Sequence, residues 1–424
     1  MKPDESSCFI MGKYLYDITI KNWLIIGVFN LLVVALLGLL MRLKIILPLA
    51  FVNQQHIMHA HSHFAFSGWI SQVLMVLLVM AFTNRKARNV LPPRYQLLLW
   101  GNLIASYGML TTFAWQGYGF YSIAFSTLTV LLSYIFAVLA WKDINRSSLG
   151  IRVKVWFKAA LVFLALSSIG TFYLAYLMKS GNVDPRQQLA AVYFFLHFQY
   201  NGWFFLMCMG LASRWFYLQQ INIPREKLIQ AVFVLGCIPA YMLSILWYTI
   251  SMPLYIVLVV VVILQVAAWS LWVYSIWKNR ITLRKLATGP TVNMLAYAVV
   301  LAASIKFVLQ AFSVIPSLSV LAYSFRPIVI GYLHLVLLGI ITLSILAYAF
   351  LTGIFSTTRI SHGAVIGFVS GVVLNELLLM TQGIGGLVRI YVPHIPVLLA
   401  GAAMVMVVSL IVMCRAVSRT DKDS

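Results

Sequence analysis

The sequence predicts an all-α, polytopic membrane protein of about twelve transmembrane helices with both termini cytoplasmic. Three observations carry that prediction. Of the 424 residues, 62% are hydrophobic and 9% charged, whereas a soluble chain carries about 25% charged residues to solvate its surface. The apolar residues form continuous runs, and roughly 20 such residues cross a bilayer as a helix. Strands of a transmembrane barrel would instead alternate over about 10 residues, so a barrel is excluded. Finally, Lys and Arg collect in alternate loops, which sets an orientation.

Along the chain, residues 1–22 are mixed and charged, with no apolar segment before Trp23. They read as a cytoplasmic segment without a cleavable signal peptide. One transmembrane domain, 23–414, holds spans at 23–47, 56–82, 96–117, 118–141, 156–178, 188–212, 229–249, 252–277, 291–315, 326–352, 363–384 and 395–414, and a cytoplasmic tail, 415–424, follows. Arg85, Lys86, Arg88 and Arg94 follow span 2, and Lys142, Arg146, Arg152 and Lys154 follow span 4. Arg214, Arg225 and Lys227 follow span 6, and Lys278, Arg280, Arg284 and Lys285 follow span 8. The loops after spans 3 and 7 carry neither Lys nor Arg. Positive charge stays inside, so every even-numbered span enters from the outer face of a cell inner (cytoplasmic) membrane.

The net charge of +21, from 30 Lys and Arg against 9 Asp and Glu, is then a matter of topology. The lipid bilayer is the expected partner and nucleic acid is not. Cys8, Cys208, Cys237 and Cys414 show no CxxC or CxxCH spacing, so neither a disulfide framework nor a covalently attached c-type haem is indicated. No sequence repeat is read from the chain.

The chemistry concentrates in histidine. His56, His59, His61 and His63 open span 2, His197 lies on span 6, His334 on span 10 and His394 before span 12, with His362 alone on the cytoplasmic side. A rise of 1.5 Å per residue puts His63, His197 and His334 roughly 10–13 Å below the outer helix ends. Intramembrane ionisable groups are rare and usually functional. At about 100° per residue, His56, His59 and His63 share one sector of their helix and His61 points the opposite way. The i, i+4 pair His59 and His63 suits chelation of one metal ion. Imidazole donors without carboxylate or thiolate suit haem iron or copper.

Charges near the same level support the haem choice. Arg326 begins span 10 above His334, and Arg42, Lys44, Arg186 and Arg389 lie near the outer surface, where haem propionates or lipid headgroups need cations. Lys306 in span 9 and Glu376 in span 11 lie deeper. Either they pair with each other, or Glu376 handles protons and Lys306 meets a propionate or another anion. On span 6, Tyr200 and Asn201 lie one turn below His197, offering a ligand, a phenol and an amide on one face.

These residues resemble the catalytic subunit of the haem–copper oxidases, the group that includes cytochrome oxidases and nitric oxide reductases. His61-Ser-His63 followed by Gly68-Trp69 is similar to the His-x-His…Gly-Trp motif of the C-type branch. His197 with Tyr200 resembles the copper-ligand helix, and His334 falls on the haem-ligand helix. The chain departs from that pattern in three places. Its His-x-His lies on span 2 rather than span 10, Trp247-Tyr248-Thr249 stands where the family has a His-His pair, and His197 and Tyr200 are three residues apart rather than four. A second resemblance is to the NnrS-type haem- and copper-containing membrane proteins linked to nitric oxide stress, through His59-Ala-His61 and Leu333-His-Leu-Val-Leu-Leu-Gly339.

The resemblance implies b-type haem, with copper open, and respiratory electron transfer or chemistry on oxygen or nitric oxide near the outer surface. If the protein is an enzyme, it is an oxidoreductase. The implied haem ligands are His61, His63 and His334, with Arg326 and Lys306 for the propionates. His59 and His197 are the next metal ligands, and Tyr200 and Glu376 the catalytic groups. Quinol or a cytochrome would donate electrons, and partner subunits stay open. A secondary transporter with Lys306 and Glu376 as coupling sites is the alternative, although no Gly- or Pro-broken spans recur in the two halves. A desaturase-type enzyme needs histidine clusters on the cytoplasmic side, where this chain has only His362.

Overall fold

The computed structural model describes residues 17–181, 184–286, 289–318, 325–390 and 392–419, without the side chains of 284, 285 and 419. Cys8, most of the 1–22 segment and the end of the 415–424 tail lie outside the described residues, as do the side chains of Arg284 and Lys285. Every described regular element of any length is helical, and one isolated β-bridge joins Thr19 to Val90.

In chain order the long helices are α1 (Ile20–Ile46), α2 (Gln54–Thr83), α3 (Pro93–Gln116), α4 (Phe120–Arg146) and α5 (Ile151–Lys179). Then comes α6, in which Pro185–His197, Phe198–Phe204 and Phe205–Leu218 run on without a break. The rest are α7 (Glu226–Ile245), α8 (Met252–Lys278), α9 (Pro290–Phe312), α10 (Arg326–Leu351), α11 (Arg359–Leu387) and α12 (Ile395–Arg419). Each contains most of one expected span. The differences lie mainly at the basic ends, where the helices run several residues further. A Lys or Arg can stay helical there, because its stem lies along apolar neighbours while the charge reaches out.

Arg214 is the clearest correction. Expected in a loop, it lies inside α6, is 7% exposed and donates to the Tyr348 hydroxyl at 3.2 Å. The first residues of the expected tail likewise belong to α12.

Eleven of these helices are long and apolar enough to cross a membrane. The chain is a multi-pass membrane protein. The helix outside that set, α6, has the length, but His197, Gln199 and Asn201 interrupt its apolar run. Leu254, Val257, Val260 and Leu264 of α8 are exposed, as are Leu128, Leu131, Ile135 and Val138 of α4. Ridges of that kind would aggregate in water and are at home against acyl chains. Ion pairs Arg94–Asp143 and Arg152–Glu226 join helix ends.

Local sequence explains where the histidine-bearing helices begin. Asn53 caps α2 by accepting from the backbone N–H groups of Gln55 and His56 at 3.0 and 3.2 Å. Asp184 caps α6 from Arg186 at 2.9 Å, with Pro185 in the first turn. Pro327 occupies the first turn of α10. Proline costs nothing there, since the N–H it lacks would have no helical partner.

The same three helices share a feature that the sequence analysis did not anticipate. Each widens into a π-helical segment: Ala65–Ser71 in α2, Phe198–Phe204 in α6 and Leu335–Thr342 in α10. Wide turns of this kind are rare and concentrate at functional sites. Each begins one or two residues after a histidine, and each contains a glycine five residues after it, at Gly68, Gly202 and Gly339. In the first two the likeness extends to His63-Phe-Ala-Phe-Ser-Gly-Trp69 and His197-Phe-Gln-Tyr-Asn-Gly-Trp203. A short repeat is therefore present where none was read.

The glycines allow close approach. A Cβ on Gly68 would meet the Phe64 ring at 2.6 Å, one on Gly202 would meet Phe163 Cβ at 2.5 Å, and one on Gly339 would meet Ala302 Cβ at 3.2 Å.

The described residues pack as two compact units. The first takes in the described residues of Met1–Ser147, Ala349–Phe368 and Ala403–Ser424, and so contains α1 to α4. The second takes in the described residues of Ser148–Tyr348 and Val369–Ala402, and contains α5 to α9 with most of α10.

Candidate functional site

In the first unit, the histidines of α2 divide between two neighbours. His61 turns toward α1, where its Nδ1 lies 3.0 Å from the Val34 carbonyl oxygen and its ring packs against Gly38. A carbonyl only accepts, so Nδ1 carries the proton and Nε2 the lone pair. His59 and His63 turn toward the end of α3. The His63 ring stacks on Phe113 with centroids 4.3 Å apart, and its Nε2 lies 3.2 Å from the Tyr118 hydroxyl. His59 meets the Tyr118 ring edge-on at 4.6 Å, and its buried Nε2 has no hydrogen-bond partner among the described residues. Tyr118 lies between α3 and α4, and burial raises the pKa of its phenol, which keeps it protonated at neutral pH.

The wide turn below these histidines is held by amides. A π turn bonds i to i+5 and leaves carbonyls turned away from the ordinary ladder. Asn30, fully buried on α1, donates to the Gly68 carbonyl at 2.6 Å and accepts from the Tyr107 hydroxyl at 2.8 Å. Asn102 of α3 donates to the Ser67 carbonyl at 3.1 Å and to Gln72 Oε1 at 2.7 Å.

In the second unit, His334 directs Nδ1 at the Ile330 carbonyl, 2.8 Å away on its own helix, so its Nε2 also carries the lone pair. Arg326 is exposed at the start of the same helix. Glu376 of α11 lies beside Gly331, less than one turn above His334. One of its oxygens accepts from Asn375 at 3.2 Å, and the other is buried without a partner among the described residues. Lys306 does not pair with Glu376. Its ammonium donates to Gln310 Oε1 at 2.6 Å and sits 4.1 Å from the centre of the Phe307 ring.

His197 uses both ring nitrogens. Nε2 donates to the Cys237 carbonyl at 2.8 Å, and Nδ1 lies 3.2 Å from the Asn201 amide nitrogen, which donates to it. The ring lines a cavity of about 220 Å³ with walls from α6 to α11, together with Tyr200, Asn201, Gln265, Lys306 and Gln310. Its floor is aromatic, formed by Phe205, Phe233 and Phe307.

The structure thus places His59 and His63 together with Tyr118, and His197 together with Tyr200, Asn201 and Lys306. His61 and His334 belong to separate units. The sequence reading missed Tyr118, Asn30, Gln265 and Gln310. The signal for Gln265 and Gln310 was available, since each is an amide deep in an apolar run. Among the described residues, no three His, Cys, Asp or Glu side chains gather in a group able to hold a metal ion. No protein-family model matches the chain, and no match is found among curated proteins.

Proposed function

We propose that the protein is a haem-binding integral membrane protein acting in electron transfer or in chemistry on oxygen or nitric oxide. One observation supports this most. His61 and His334 each donate Nδ1–H to a backbone carbonyl, which fixes the ring and its tautomer. That is the arrangement by which a protein orients and strengthens an imidazole ligand. Each histidine, taken by itself on a helix with a wide turn beside it, fits the role of an axial ligand to a b-type haem. When bound, haem supplies an iron that exchanges one electron and, with an open coordination position, takes a diatomic gas.

The chain's own groups have defined parts in this reading. The carbonyls of Val34 and Ile330 hold the two rings in one tautomer. Arg326 supplies a cation for a propionate. Glu376, one turn from His334, holds or passes a proton through its unpartnered oxygen. His63, between Phe113 and Tyr118, is a third candidate ligand. Copper draws less support, because His197 already spends both nitrogens on Cys237 and Asn201. Quinol or a cytochrome is the proposed electron donor, and the inner membrane with both termini cytoplasmic the proposed setting. A secondary transporter coupled through Lys306 and Glu376 is the second reading, favoured by the absence of an ion pair between them.

The test is a dithionite-reduced minus oxidised visible spectrum of the purified protein, with iron and copper counted on the same sample. The expected result is sharp b-type bands with about one iron or more per chain. His61→Ala and His334→Ala should each lower haem content or shift the bands, whereas His362→Ala should leave them unchanged. Absence of haem and iron in protein made with haem supplied would overturn the proposal.

A further inference from the structure

The cavity of the second unit is built around Lys306, and among the described residues no carboxylate on its wall faces the ammonium. Lys306 is 6% exposed. An ammonium has three donors to place, and Gln310 Oε1 is its one hydrogen-bond acceptor among the described residues. Gln310 is itself fixed, since its amide donates to Gln265 Oε1 at 2.6 Å. The orientation of this chain keeps a carbonyl oxygen on the ammonium and an aromatic face beneath it, and both are neutral. Among the described residues, no Asp or Glu lines the cavity. A buried charge without a counter-charge is costly in protein and more so at membrane depth. The remaining polar wall includes Asn201 and Tyr200, with His197 already bonded through both ring nitrogens.

We propose that this cavity binds a small monovalent carboxylate, held by an ion pair to Lys306 and flanked by the aromatic floor. The volume of about 220 Å³ holds about seven water-sized groups at ~30 Å³ each. It therefore admits a carboxylate from the size of acetate to that of benzoate. The carboxylate has two sources, a free small anion or a propionate of bound haem. The first stands without the haem proposal and the second rests on it.

The experiment is calorimetric titration and thermal unfolding of the full-length protein in detergent, with acetate and benzoate as probes and acetamide and benzamide as neutral counterparts. Saturable binding of the anions, at least about tenfold tighter than of the amides, is expected. Lys306→Met should weaken anion binding by at least about tenfold while unfolding no earlier than the parent, because it removes a buried charge. Gln310→Met leaves the ammonium without its amide. Its melting temperature should therefore rise more with acetate than that of the parent.

Repeating the titration on protein made with and without haem separates the sources. Equal binding to both forms identifies a free anion. Binding confined to the haem-free form, with poorer haem retention in Lys306→Met, identifies a propionate. Anions that bind no better than their amides to either form, with haem retention unchanged in Lys306→Met and no extra anion response in Gln310→Met, would overturn the inference. Anion binding in a chain that never takes up haem would sustain it while removing the haem proposal.

Discussion

Gly170→Ala is expected to destabilise the protein by about 2–3 kcal/mol, the upper part of the range for overpacking a filled contact. Gly170 lies on α5 where that helix crosses α6. A Cβ there would stand 2.6 Å from the Ala191 carbonyl oxygen and 2.8 Å from the Phe195 backbone nitrogen. Both are main-chain atoms, so no side chain can swing aside and the helices must separate. Helices in lipid gain nothing from the hydrophobic effect against each other and depend on such close approaches. The shift also moves α6, which carries His197, so the cavity should lose anion affinity together with stability. Thermal unfolding in mild detergent measures the first effect and titration with acetate the second. Gly363→Ala on α11 is the contrast, because a Cβ there meets nothing within 4 Å. It should be neutral or stabilising by up to about 1 kcal/mol through helix propensity.

Asn30→Leu is the second large effect, expected at about 1–2 kcal/mol. Leucine matches the asparagine in size but returns neither hydrogen bond, so the Gly68 carbonyl and the Tyr107 hydroxyl are both left in a dry contact. Each unmade bond costs about 1–3 kcal/mol in a buried site, while polar contacts inside membranes average nearer 0.6. Two losses on the membrane scale give the expected value of about 1–2 kcal/mol. The change should also loosen the wide turn beneath His63. Tyr107→Phe removes only one partner and should cost less, and the two substitutions together should cost less than their sum because they share a bond. Unfolding of the single and double variants checks both statements. Additive losses would show that Asn30 does not link Tyr107 to the wide turn.

Much of this architecture was legible because lipid leaves the backbone few choices. A continuous apolar run must close its own hydrogen bonds, so length and hydropathy locate the spans. The opposed directions of His61 and of His59 with His63 also followed from helical periodicity, and the structure turns them from α2 toward α1 and the end of α3 respectively. What stayed hidden depends on contacts between distant segments. Tyr118 meets His63 only because α3 ends at Gly117, whose φ of +65° turns the chain back. Lys306 and Glu376 looked like partners by depth alone, yet the nearest acceptor for the lysine was an amide one turn along its own helix. The wide turns were invisible because i to i+4 and i to i+5 bonding use the same residues, and their only written trace is a histidine followed five places later by glycine.

Those wide turns make chain length negotiable at three points. A π turn holds one residue more than the α ladder around it requires. Taking one residue out of Ala65–Ser71 should let the segment close as an ordinary helix while the stretches above and below keep their neighbours. The same deletion within Val73–Phe82 would rotate all that follows by about 100°, turning buried faces outward. Single-residue deletions should therefore be survivable beside His63, His197 and His334 and ruinous elsewhere in the same helices. A deletion scan read out by the yield of folded protein would show three narrow windows of tolerance, each next to a histidine.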